Sequence, residues 1–135
     1  MNAGYAPANS FVMCLNELNG VPTMSPVRYD QFVRQLLKAD SEVMMKLHAA
    51  LGVAGEAGEL ADAIKKECIY KKPVDRTNII EELGDLRFYM QAVQQMYEIT
   101  EQEVLQANAD KLAKRYLGLT YSDQAAIARA DKVDE

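Results

Sequence analysis

From Ile79 to Tyr97 the apolar side chains return every three or four residues: Ile79, Leu83, Leu86, Met90, Val93 and Tyr97. That period belongs to a helix with one apolar stripe, and a strand cannot carry it. Nowhere does the chain alternate apolar and polar residues over a useful length. The expected fold class is therefore all-α, with each helix burying its stripe against another.

The other segments extend this reading. Residues 1–26 mix Asn, Gly, Pro and Ser with a short apolar patch, FVMCL. They read as an irregular arm with one helical turn near residues 11–18, ended by Pro22 and Pro26. The patch needs burial against the body of the domain or a second subunit. A first helix is expected from Asp30, as N-cap, to about residue 45, with Phe32, Val33, Leu36 and Leu37 on its apolar face. A second runs from near Lys46 to Tyr70, and the two are either separate or one kinked rod. Its stripe is Leu47, Ala50, Leu51, Ala54, Gly58, Ala61, Ile64 and Cys68.

Gly52, Gly55 and Gly58 each weaken the second helix by up to ~1 kcal/mol relative to Ala. Such a cost implies that a neighbouring helix or a ligand comes close to the backbone. Pro73 breaks the chain, and Asp75 caps a third helix reaching to about residue 99. Thr100 and Glu103 form a capping box for a fourth, which Gly118 stops. Ser122 or Asp123 caps a short last helix through Arg129, and the acidic end DKVDE is expected to fray. The expected architecture is a four-helix-type bundle built around a central helical hairpin, plus a short C-terminal helix. Residues 1–26 form the arm, 27–130 the domain and 131–135 the tail.

Two pairs of acids stand out on the hairpin. Glu56 and Glu59 lie three apart on one helix, and Glu82 and Asp85 three apart on the next, so each pair shares a helix face. The turn is centred near residue 72. A symmetric hairpin then places Glu59 and Asp85 at equal depth, Glu56 about one turn farther out and Glu82 one turn nearer. At roughly 1.5 Å per residue the four span about 10 Å. The ordinary reading of E-x-x-E is a solvated face. Against it, Glu82 falls within about 60° of the centre of its helix's apolar stripe, where an unpaired carboxylate is costly. A shared metal site and an acidic surface both stay open on these residues alone. Four oxygen ligands without His or Cys would favour Mg²⁺ or Mn²⁺ over Zn²⁺, and with it phosphate chemistry.

Composition narrows the partners. With 135 residues, a formal charge of −5 and a pI of about 4.9, one acidic domain that does not bind nucleic acid is expected. No apolar run has the length of a membrane span or a signal h-region. Cys14 and Cys68 lack metal spacing and read as reduced thiols, so a cytoplasmic protein that binds no membrane is expected.

At the acidic residues the chain resembles the MazG-like all-α nucleoside triphosphate pyrophosphohydrolases, whose motif is E-x-x-E, a spacer, then E-x-x-D. HAALGVAGEAGELADAIKK, EELGDLRFYM and VLQANADKLAKRY resemble the family in order and spacing, over roughly residues 29–129. The resemblance implies cleavage between the α- and β-phosphates, giving a nucleoside monophosphate and pyrophosphate. It implies that Glu56, Glu59, Glu82 and Asp85 bind Mg²⁺, with Mn²⁺ as a substitute. Glu59, or its neighbour Glu56, would orient or deprotonate the attacking water, and Glu81 is a further candidate for a base or supporting role.

The resemblance also implies that Asn108, Lys111, Arg115 and Tyr116 lie near the phosphates. Residues 108, 111 and 115 do share one side of a helix, where cations suit a triphosphate. Lys65, Lys66 and Arg129 are further possible phosphate contacts. His48 lies where relatives seat the nucleobase, and a homodimer or homotetramer is implied. The sequence departs from the family where Leu117 replaces a proline, and the arm has no counterpart. Relatives act on dUTP, dCTP or dGTP, and no residue here decides among them. The rival reading is a non-enzymatic all-helical interaction module with an acidic docking face. A ferritin-like di-metal protein would need Glu-x-x-His pairs, and none occurs around His48.

Overall fold

Pro26 opens the first helix of the computed structural model, which describes residues 26–132. A residue without an N–H suits the first helical position, so α1 (Pro26–Leu36) begins earlier than expected. Asp30 is inside this helix and not its N-cap. Its main-chain and side-chain oxygens accept bonds from Gln95 Nε2, both at 2.8 Å, and its carboxylate accepts one from Gln91 Nε2 at 3.1 Å. These bonds tie α1 to the third helix. The expected turn near residues 11–18 and Cys14 lie outside the described residues.

The chain then breaks, and Ser41 caps α2 (Glu42–Cys68) by accepting the Met44 N–H. The first two helices are thus separate. α3 (Arg76–Met96) opens where the Asp75 carboxylate accepts the Asn78 N–H at 3.1 Å. α4 (Glu101–Arg115) carries the full capping box of Thr100 and Glu103. A short 3₁₀ turn (Leu117–Leu119) follows, with Gly118 at φ 69°, a left-handed value that glycine adopts without steric cost. α5 (Asp123–Ala128), capped by Ser122, and a 3₁₀ turn (Ala130–Lys132) end the described chain. The described residues are all-α, without a strand, and no helix among them is long and apolar enough to cross a membrane.

The hairpin of α2 and α3 is the organising contact. Gly52 meets the Tyr89 ring, Ala49 packs with Ala92, and Glu59 comes level with Glu82. These pairs share one antiparallel register. It aligns a row on α2 (Ala49, Gly52, Glu56, Glu59, Ala63, Lys66) with a row on α3 (Asn78, Glu82, Asp85, Tyr89, Ala92, Met96). Both rows step by three and four, the spacing of a coiled-coil seam. Glu59 therefore faces Glu82, one turn away from the depth expected of a symmetric turn. Residues 71–75 are in no helix, and non-helical chain covers more length per residue, so α3 enters farther along the hairpin.

The buried centre is small. Val33, Ala49 and Ala92 are at most 1% exposed, with Tyr29, Leu37, Phe88, Val93 and Met96 packed around them. The two alanines let α2 and α3 approach closely, with Val33 of α1 over their crossing. The apolar stripe expected to form the core of α3 does so only in part: Val93 packs on this centre, whereas Leu83, Met90 and Tyr97 remain exposed. Leu51, Ile64 and Leu105 are also exposed, so α2, α3 and α4 each carry open apolar side chains among the described residues.

α4 packs chiefly against the turns that follow it. Arg115 and Asp131 form a two-pronged ion pair, Nε to Oδ1 at 2.6 Å and Nη2 to Oδ2 at 2.7 Å. The Asp131 side chain is 1% exposed, so the expected fraying of the acidic end does not apply to it. The guanidinium holds the Asp131 carboxyl down at about 2. This contribution is complete above the ordinary aspartate range and is lost progressively as pH falls from there through about 2. Asp131→Ala is expected to undock the closing turn and accelerate tryptic cleavage after Arg129 severalfold. Limited proteolysis followed by mass spectrometry reads this directly.

Candidate metal centre

Glu56 and Glu59 project from α2 and Glu82 from α3 into one groove, because all three belong to the facing rows of the seam. Each offers a carboxylate oxygen, and these oxygens lie within 4.8 Å of one another. Asp85 is outside that set. Its position one turn beyond Glu82 puts it level with Glu56, and its charge reaches both Glu56 and Glu82. Among the described residues no cation lies between the three carboxylates, although Lys66 stands beside Glu82 and lowers its proton affinity slightly.

The electrostatic signature is that of converging anions. Desolvation first, then the charges of Glu59, Asp85 and Glu82, raises the Glu56 pKa above its ordinary value. Desolvation, then Glu59, Asp85 and Glu81, does the same to Glu82. A divalent cation among these oxygens would replace protons and offset the repulsion. The donor set is all oxygen, which fits a hard cation.

The folded chain holds protons on Glu56 and Glu82 at higher pH than the unfolded chain does. Acidification from neutral pH toward the ordinary glutamate range therefore favours the folded state through these two groups. Without divalent cation, Glu82→Gln is expected to melt above wild type at neutral pH, with the gap closing as pH falls. Mn²⁺ should reverse the order, since a ligand at a hundredfold excess over its Kd adds about 2.7 kcal/mol to the form that binds it. Calorimetric melts with and without Mn²⁺ check both halves.

Beside the carboxylates lies a cavity of about 290 Å³ lined by Gly55, Gly58, Glu59, Asp62, Lys66, Asn78 and Glu82. An added Cβ at Gly55 or Gly58 would meet nothing within 4 Å. Of the three glycines expected to mark a close approach, only Gly52 has a neighbour against its backbone. The other two open onto solvent or this cavity. Asp62 differs from the acids around it. Lys65 lies 2.6 Å and Lys66 3.1 Å from its carboxylate oxygens, and their bonds lower its pKa.

His48 stands about two turns from Glu56 toward the start of α2. Its ring meets Tyr89 edge-on at 5.8 Å, and it borders a mainly apolar cleft of about 280 Å³ with Met44, Met45, Leu47 and Leu51. The remaining expected residues are placed differently. Asn108 and Lys111 are exposed on α4, and Lys111 borders a separate cavity with Lys114 and Asp131. Arg115 is engaged by Asp131, and Tyr116 packs on Tyr121 with ring centroids 5.4 Å apart. Among the described residues no hydrogen bond or ion pair joins these four to the carboxylates. α4 meets the hairpin at its other end, where Glu101 pairs with Arg87 and accepts a bond from Gln94, each at 3.0 Å. Glu81 is exposed beside the groove.

Asp62 and Asn78 were not singled out from the sequence. The heptad spacing of 78, 82, 85, 89, 92 and 96 could have found Asn78. A family model described as MazG nucleotide pyrophosphohydrolase domain matches residues 46–118, more than half of the chain. No curated protein and no solved structure matches the chain.

Proposed function

The chain belongs to the MazG nucleotide pyrophosphohydrolase family, and from that premise we propose that it hydrolyses a (deoxy)nucleoside triphosphate to the monophosphate and pyrophosphate in a Mg²⁺-dependent reaction. The observation that carries this reading is the convergence of the Glu56, Glu59 and Glu82 oxygens within 4.8 Å. These three would hold the cation, with Asp85 completing the set from the level of Glu56. When bound, Mg²⁺ supplies charge neutralisation to the phosphoryl oxygens and acidity to an attacking water.

The chain's own groups do the rest. Glu59 is exposed, lines the cavity and lies close to Glu82, and in this reading its second oxygen would orient a water and take its proton. Glu56, lifted in proton affinity, is the alternative acceptor. Water oxygen bonds to the α-phosphorus, the α–β bridging bond breaks, and the electron pair leaves with pyrophosphate. His48 and its apolar cleft would seat the base, oriented by the Tyr89 ring.

Asn108, Lys111, Arg115 and Tyr116 would reach the phosphates of a site in a homodimer or homotetramer. The open apolar faces of α2 and α3 support such an assembly, because a monomer rarely leaves surfaces of this kind uncovered. The role is control of a cytoplasmic nucleotide pool. Incubation with a panel of nucleoside triphosphates and separation of products tests the reading. Monophosphate and pyrophosphate are expected, and release of orthophosphate with a nucleoside diphosphate would refute it.

A further inference from the structure

We propose that Lys66, held in place by Asp62, receives the pyrophosphate end of the substrate and so sets the direction in which a nucleotide lies along the groove. This rests on the hydrolase reading above; it selects Lys66 over Lys65 and Arg129 among the possible phosphate contacts and adds a polarity.

The α2 row that carries Glu56 and Glu59 continues through Ala63 to Lys66, so Lys66 looks into the same groove from nearer the turn. Helical side chains lean toward the helix N-terminus. Lys66 does so, and its ammonium ends 3.1 Å from an Asp62 oxygen one turn back, in the cavity that Glu59 and Glu82 border. Lys65 also binds Asp62, but its ammonium lies over the Tyr70 ring at 5.7 Å and borders no part of that cavity. Asp62 is thus a holder of lysines, with its charge already taken, and Lys66 is the cation presented to the groove.

The two ends of the cavity have opposite chemistry. Glu59 and Glu82 form an anionic end that gathers a divalent cation. Lys66 and the Asn78 amide form the other, where phosphoryl oxygens not bound by the cation find an ammonium and an amide donor. Gly55 and Gly58 line the same cavity on the side of Glu59 away from Lys66, and no side chain there obstructs approach. His48 and the apolar cleft lie beyond the carboxylates on the opposite side. A nucleotide with its base toward His48 and its α-phosphorus at the carboxylates therefore points its leaving group at Lys66. Of the α4 cations proposed for phosphate, Arg115 is paired with Asp131 and Lys111 borders a separate cavity.

The test is calorimetric titration of pyrophosphate into the full chain loaded with Mn²⁺. Lys66→Met is expected to weaken pyrophosphate binding by about tenfold or more, the loss of one charge-assisted contact. Lys66→Arg should restore most of it, and Mn²⁺ affinity should not fall in either variant. Asp62→Asn is expected to weaken pyrophosphate binding less than Lys66→Met does. Pyrophosphate bound equally well by Lys66→Met, or not bound by wild type, overturns the assignment. Lys66-dependent pyrophosphate binding by a chain that hydrolyses no nucleotide would support the assignment while overturning the hydrolase reading. Normal turnover with Lys66-independent binding overturns the assignment alone.

Discussion

Glu59→Gln is expected to lower kcat/KM for nucleoside triphosphate hydrolysis by about 10³-fold, within the range that one positioned acid–base group contributes. The substitution keeps the side-chain volume and one oxygen able to contact a cation, and it removes the ability to take a proton from water. Glu59 is exposed and makes no hydrogen bond among the described residues, so its loss leaves no buried partner unsatisfied. It also removes one of the charges that raise Glu56 and Glu82. The variant should therefore melt no lower than wild type while its turnover collapses. Steady-state kinetics beside a thermal melt separate the two effects. Loss of activity accompanied by loss of fold would count against a chemical role.

Gly52→Ala should show the opposite pattern, a failure of packing. Alanine is the better helix former by up to ~1 kcal/mol, so an unobstructed site would gain stability. At residue 52 the new methyl would land inside the Tyr89 ring. That ring is held between His48 and Phe88, with centroid separations of 5.8 and 5.3 Å, and cannot swing aside without disturbing both. A net loss of about 1–3 kcal/mol is expected, typical of overpacking. Gly55→Ala is the internal control, because nothing lies within 4 Å of its added Cβ. It should stabilise the chain by up to ~1 kcal/mol. Urea titrations of the two variants measure both values. Truncating Tyr89 to Ala in the Gly52→Ala background should recover part of the loss, through a coupling that the separate substitutions lack.

Much of this arrangement was legible in the residues, but unevenly. Helix starts read well at three side-chain caps, where Asp75, Thr100 with Glu103, and Ser122 accept the expected main-chain bonds, but not at Ser41, which opens α2 before the expected Lys46. Asp30 misled because a good capping residue also makes tertiary bonds, here to Gln91 and Gln95. The apolar stripe of α3 established its helicity correctly and its inward face only in part, since Val93 packs on the centre and Leu83, Met90 and Tyr97 do not. A stripe shows which side avoids water, and in a chain with open apolar side chains that side need not be the one packed on α2. The seam is built instead from small, polar and aromatic residues. Ala92 and Gly52 permit close approach, and Glu56, Glu59 and Glu82 occupy positions that a plain helical hairpin would fill with leucine. A hydrophobicity pattern has no means of displaying such a row. Spacing alone could bring the acids to one region. Their register depended on the path of residues 71–75, which no local propensity determines. The α4 residues were visible as a basic helix face, but their relation to the carboxylates is not set by contacts within one chain.

The most direct measurement is the anomalous difference map of a crystal of this chain soaked in Mn²⁺. The account predicts Mn²⁺ within bonding distance of oxygens from Glu56, Glu59 and Glu82, lost in a crystal of Glu82→Gln. Mn²⁺ bound elsewhere, or no ordered Mn²⁺ between α2 and α3, would contradict it.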